Sequence, residues 1–279
     1  MTDFFDCKGI AEIYKKQLVQ DFKALNYVPT LLTILTNDSK PCVQYAKAID
    51  KHCSTFGVLH KNIKATDVNS LMQLITQANK DANIQGIFLF SPVHFPDMRD
   101  EELMDLIDPI KDIEGLHSLN LGYLEKFRIH LENDLKCVVP CTPKAIIKIM
   151  DYYNIPINGK QVAIINDSYR IGRPLRSMLG NLRATVTTCH DKTQNIDEIV
   201  KMADIVVTAV PVKEFKVPNT YKKGAIVIDA SYGCDNLGMD SLGSNIKIVT
   251  NPQNPLAILT TTMLFMNLYY VSRYKGRLY

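Results

Sequence analysis

The chain has 279 residues, 46% of them hydrophobic and 22% charged, with a formal net charge of +3. That length fits one large or two medium domains, and the composition is that of an ordinary globular protein. The small charge and the absence of a Lys/Arg run exclude a basic nucleic-acid-binding stripe, and no apolar run is long enough to span a membrane. The stretch Met1 to Tyr14 lacks the apolar core of a signal peptide and carries acids that a transit peptide avoids. The seven cysteines are scattered without a C-x-x-C, as expected of reduced thiols in a cytoplasmic protein. Cys137 and Cys141 have no histidine pair nearby, so they read as two packed thiols rather than zinc ligands, and no metal site is expected.

Ile10 to Leu25 has helical periodicity, Thr30 to Leu35 is an apolar β-like run, and Tyr45 to Phe56 is helical again. Val68 to Ala82 reads as a further helix and Gly86 to Phe90 as an apolar strand. Strands separated by helices imply a parallel sheet. A long connection follows Phe90, carrying a short acidic helix and punctuated by Pro92, Pro96 and Pro109. Connections of that length in a compact domain are often functional.

A second α/β region starts near Pro140. Cys141-Thr142-Pro143 leads into a helix from Lys144 to Tyr153, and Asn158-Gly159 turns into the next strand. From Lys160 to Asp191 the chain reads as strand (Val162 to Ile165), polar turn (Asn166 to Arg170), helix opened by Gly172, Arg173 and Pro174, and second strand (Ala184 to Cys189). That is about 30 residues, the size of a βαβ unit. Its second strand is closed by His190 and Asp191. An acid there accepts hydrogen bonds from an adenosine ribose and repels a 2′-phosphate, which points to NAD rather than NADP. The fingerprint G-x-G-x-x-G is missing, and any doubly wound domain contains such a unit, so Asp191 also reads as a solvated strand end. Ile205 to Val210, Ala225 to Asp229 and Ile246 to Thr250 are further strands, and Leu256 to Tyr274 is a long helix.

Several segments together resemble the methylenetetrahydrofolate dehydrogenases, whose commoner members are bifunctional dehydrogenase/cyclohydrolases. They are Tyr45 within SKPCVQYAK, Gly86-Ile87 before Ser91-Pro92, PIKDIEGLHSLNLG from Pro109, Pro140-Cys141-Thr142-Pro143, Ser168 with Ile171-Gly172-Arg173-Pro174, and ATVTTCHDKT from Ala184. The resemblance covers nearly the whole chain. It implies two α/β domains with a cleft between them: a folate-binding domain over 1–139, completed by a returning helix at 255–279, and a Rossmann-like NAD-binding domain over 140–254. It also implies hydride transfer from methylenetetrahydrofolate to the nicotinamide, which needs oriented approach of two rings more than a strong acid or base.

On the folate side, the resemblance assigns Tyr45 to stacking on the substrate, Glu114 to the pterin N–H groups and Asp112 to the loop. Bifunctional members carry a lysine four residues after the tyrosine, and here that position is Ile49. Lys47 and Lys51 point roughly 200° and about 120° away from Tyr45 on a helix. The family's glutamine beside that lysine is Phe90. Two losses at one proton-handling pair imply that cyclohydrolase activity is absent, as in the monofunctional NAD-dependent members. The family's glycine-rich loop aligns to Gln253 through Thr260, without its glycines.

On the cofactor side, NADP-using relatives have an arginine in place of Asp167 and a serine in place of Asp191, both contacting the 2′-phosphate. Two carboxylates there imply NAD. Gly172 is expected to start a helix facing the pyrophosphate. Arg173 either adds a charge there or is a solvated first-turn residue. Ser168, Ile171, His190, Ala209 and Val210 complete the implied site. Relatives pair through the cofactor domain, so a homodimer is expected. The competing expectations are a bifunctional enzyme and a non-catalytic nucleotide- or folate-binding homologue.

Overall fold

The computed structural model describes residues 2–93, 95, 98–128, 137–238 and 242–273. Pro96 and the last residue of the expected C-terminal helix, Tyr274, lie outside them. The chain forms two compact units. One joins Met1–Ile13 to Pro140–Met263, and the other joins Tyr14–Val139 to Leu264–Tyr279. Each is an α/β unit on a fully parallel sheet.

The smaller sheet has three strands, β2 (Thr30–Leu35), β3 (Leu59–Lys64) and β4 (Gly86–Leu89), in the order β3-β2-β4. Every residue of β2 and β4 is buried, which is why both read as unbroken apolar runs. β3 was not expected from the sequence. Its LHKNIK is almost wholly exposed, an edge strand kept polar by lysines. Helices α2 (Lys40–Phe56) and α3 (Val68–Lys80) connect the strands. α3 begins in a capping box in which Asp67 Oδ1 accepts from Ser70 N at 2.8 Å. The acidic helix is α4 (Asp100–Met104), followed by α5 (Ser118–Glu125).

The larger sheet has six strands: β1 (Asp3–Phe5), β5 (Gln161–Ile165), β6 (Thr185–Cys189), β7 (Ile205–Thr208), β8 (Ala225–Asp229) and β9 (Ile246–Thr250). Their order is β1-β9-β8-β7-β5-β6. Residues 1–13 therefore belong to this unit and not to the 1–139 domain expected for them, while the break itself falls between Val139 and Pro140. β1 is three residues long, too short for a periodic signal, and its Phe5 packs edge-on against Tyr153 at 5.0 Å. Helices α6 (Cys141–Tyr152), α7 (Gly172–Asn181) and α8 (Ile196–Met202) complete this unit. Its core gathers Ala163, Ile165, Cys189, Val206, Val227 and Val249.

Helix α1 (Cys7–Lys23) and the C-terminal helix α9 (Ala257–Arg273) each begin in the six-stranded unit and end in the three-stranded one. The last helix thus returns to the N-terminal domain, where Asn267 Nδ2 donates to the carbonyls of Ile113 and Val139 at 2.9 and 3.0 Å. Gly86 makes room for it, since a Cβ there would lie 2.7 Å from Leu268. Among the described residues, no helix is long and apolar enough to cross a membrane.

Candidate active site

Both sheets reverse their winding beside a central strand. In the six-stranded unit, β5 leads through α7 to β6 on one side, and β6 leads through α8 back to β7 on the other. Ligands of open α/β sheets bind outside the carboxyl ends of the strands at such a switch point. There the structure gathers the implied cofactor residues. Asp167, Ser168, Ile171, Gly172 and Arg173 lie on the β5–α7 turn, His190 and Asp191 follow β6, and Ala209 and Val210 follow β7.

Asn166, which the sequence reading passed over as part of a polar turn, organises that region. Its Oδ1 accepts from Ser168 N, Ser168 Oγ and Gly172 N at 2.9, 2.7 and 2.9 Å. The first of these contacts is an Asx-type turn. The expected anion-binding donors of α7 are engaged within the turn: Ile171 N donates to Ser168 Oγ at 3.1 Å and Arg173 N to the Ser168 carbonyl at 3.0 Å. Pro174 has no N–H to offer.

The two acids are not bare. Asp167 is bonded to the Arg173 guanidinium at 3.1 Å, with Arg173 61% exposed. Asp191 is 79% exposed and lies 3.2 Å from Lys192 Nζ. Solvent and paired cations weaken the repulsion that the sequence alone implied. A second asparagine missed by the sequence reading, Asn236, is fully buried. It accepts from Thr208 Oγ1 and Val210 N at 2.9 and 2.8 Å and donates to the Val210 carbonyl at 3.1 Å.

The aligned glycine-rich loop is held without glycines. Asn254 Oδ1 accepts from Lys8 N at 2.8 Å, and its Nδ2 donates to Asp6 Oδ1 at 2.9 Å. Asp6 also accepts from Gly9 N, and these bonds hold its carboxyl below the usual range.

In the three-stranded unit, β2 leads through α2 to β3, and β3 leads through α3 back to β4, so the switch point lies at Thr36 and Phe90. Tyr45 on α2 is half-buried and meets Phe88 and Phe90 edge-on at 5.7 and 5.9 Å. Ile49, one turn further along α2, is 0% exposed, and Phe90 is 2% exposed. Lys47 and Lys51 are exposed. The positions that the resemblance aligns with the family's lysine and glutamine are therefore apolar and buried.

Glu114 sits on a loop built around Asp112. That buried carboxylate accepts from Glu114 N, Gly115 N, His117 N and Asn120 Nδ2 at 2.8–3.1 Å. Burial pushes its pKa up, against those donors. Lys111 ties the same loop to α3, its Nζ donating to the carbonyls of Ala78 and Asp81 at 2.7 and 2.8 Å. Glu114 itself is half-buried. Among the described residues, no group of three or more His, Cys, Asp or Glu could hold a metal.

Comparison with known proteins gives the family. Residues 5–114 match the tetrahydrofolate dehydrogenase/cyclohydrolase catalytic domain, and residues 140–275 match the NAD(P)-binding domain of the same family. The bifunctional protein FolD of Thermodesulfovibrio yellowstonii is 30% identical, over 99% of this chain and 98% of its own. The bifunctional methylenetetrahydrofolate dehydrogenase/cyclohydrolase of Thermoplasma acidophilum superposes with a TM-score of 0.88 at 26% identity, covering 99% and 100% of the two chains. The NAD-dependent methylenetetrahydrofolate dehydrogenase of Saccharomyces cerevisiae superposes at 0.86 with 25% identity, covering 98% and 97%. The chain belongs to the tetrahydrofolate dehydrogenase/cyclohydrolase family.

Proposed function

We propose that this protein oxidises methylenetetrahydrofolate to methenyltetrahydrofolate with NAD and has no cyclohydrolase activity. The folate lies on the three-stranded unit against Tyr45, its pterin N–H groups held by Glu114. The dinucleotide lies at the switch point of the six-stranded sheet. The observation that carries the reading is the pair of apolar residues, Ile49 and Phe90, where ring-opening hydrolysis needs groups that move a proton and orient water. Hydride transfer needs neither. It needs two rings held in register, with the nicotinamide supplying the redox chemistry when bound.

The choice of NAD rests on Asp167 and Asp191. Their ion pairs and exposure lower the penalty against a 2′-phosphate, but neither residue offers it a donor. The yeast relative described as NAD-dependent supports the same choice. A second reading, the bifunctional enzyme, is favoured by the names of the similar bacterial and archaeal proteins. We also expect a cytoplasmic homodimer, which light scattering would register as twice the 31.5 kDa chain mass.

The test follows reduced nicotinamide and methenylfolate by absorbance, with NAD and NADP in parallel. Growth of both signals with NAD, and decay of added methenylfolate no faster than in buffer, is the expected result. Accelerated decay would establish the bifunctional reading. No turnover with either cofactor would leave a binding homologue.

A further inference from the structure

The turn between β5 and α7 is the part of the cofactor crevice that lies nearest the helix start, yet its N–H groups at Ile171, Gly172 and Arg173 are bonded inside the turn. One side chain makes that arrangement possible. Asn166 Oδ1 accepts the three hydrogen bonds from Ser168 and Gly172, while Nδ2 donates to the carbonyl of Ala209 at 2.8 Å. Ala209 N returns a bond to Ile165 O at 3.3 Å. A single amide therefore fixes the turn after β5 and ties it to the end of β7, the two strands that flank the switch point. Opposite it, Asn236 clamps Val210 through both backbone groups.

We propose that Asn166 is the positioning residue of the cofactor crevice. This rests on the dehydrogenase reading above. Asn166 acts through the residues it holds, setting where Ser168 and Gly172 stand against the end of β7. The chemistry calls for an amide. The site needs an acceptor for three donors and, on the same group, a donor for a carbonyl. Aspartate supplies only the acceptors and sets a carboxylate against the Ala209 carbonyl. Alanine supplies neither. Without the amide the crevice is no longer pre-formed, and the dinucleotide must order the turn as it binds. Ordering one residue corresponds to about tenfold in affinity.

The experiment compares full-length wild type with Asn166→Asp, Asn166→Ala and Asn166→Ser. It measures KM for NAD and for methylenetetrahydrofolate, kcat, NAD affinity by fluorescence titration, and melting temperature without cofactor. The expected result is a rise of about tenfold or more in KM and Kd for NAD in the Asp and Ala variants. The serine variant, which keeps one acceptor, falls between. kcat at saturating NAD stays within about threefold, and the folate KM does not move. If the alanine variant does not fold, the aspartate and serine variants carry the same comparison. A lowered melting temperature with NAD KM unchanged, or an equal rise in both KM values, would overturn the positioning role. An inactive wild type would instead refute the function proposed above.

Discussion

Gly172 and Asn166 approach so closely that no side chain fits between them. A Cβ on Gly172 would stand 1.9 Å from the Asn166 carbonyl oxygen and 2.9 Å from its Oδ1. The obstruction is backbone, which cannot swing aside as a side-chain tip can. Gly172→Ala should therefore cost about 3 kcal/mol, the upper range for overpacking, and weaken NAD binding with it. Thermal denaturation and an NAD titration check this, and wild-type values in both would refute the crowding.

Restoring the family's lysine alone should harm the protein. Ile49 is 0% exposed and sits one turn from Tyr45. Ile49→Lys would put an ammonium into that apolar space, with an expected loss of a few kcal/mol in stability. It should also create no hydrolase while Phe90 remains. Denaturant unfolding and methenylfolate decay measure the two parts. A stable, hydrolytic single variant would show that the pocket is wetter than Ile49 implies.

Asn267 is fully buried and satisfies two carbonyls, Ile113 next to Glu114 and Val139. Asn267→Leu leaves both without that donor, at about 1–3 kcal/mol per unsatisfied group. Because one of them belongs to the Glu114 loop, KM for folate should rise several-fold while KM for NAD holds. A fall in stability with both constants unchanged would reduce Asn267 to a packing role.

Cofactor choice should move with charge. Combining Asp167→Asn with Asp191→Ser removes two carboxylates and leaves the Arg173 charge uncompensated by Asp167. The ratio of kcat/KM for NADP over NAD should rise by about tenfold or more. An unmoved ratio would place discrimination elsewhere.

Asp204 should make the six-stranded unit sensitive to acid. Its carboxylate accepts from Lys222 Nζ at 2.7 Å and from Gln161 N at 3.0 Å. The Lys222 bond holds its pKa below the usual 3.8, against partial burial. A carboxyl lowered by folding contributes stability above its unfolded pKa and loses it as pH falls through the folded one. Asp204→Asn should thus be less stable than wild type by about 1 kcal/mol at neutral pH, and the difference should vanish in strong acid. Urea unfolding at both ends of that range tests the sign.

The strands β2, β4, β5, β7 and β8 were legible because a parallel strand covered on both faces must be apolar along its length. Tyr45, Ser168 and Gly172 were expected at the site because they match the family pattern, and Glu114 and Asp191 because they stand where that pattern has other residues. β3 was not, because an edge strand with lysines carries no apolar period. β1 was not, because three residues show no period at all.

The chain's own residues determined two α/β units, which follow from local patterning; the expected site residues and the apolar positions Ile49 and Phe90 were read from the resemblance to the family. Only the tertiary structure decided that Asn166 would reach Ala209, 43 positions away, that Asn254 would cap the start of α1, and that Asp167 would be paired with Arg173. The reason is physical. Periodicity records how deeply a residue is buried, whereas a polar side chain finds its partner only once strand order has brought distant backbone within about 3 Å.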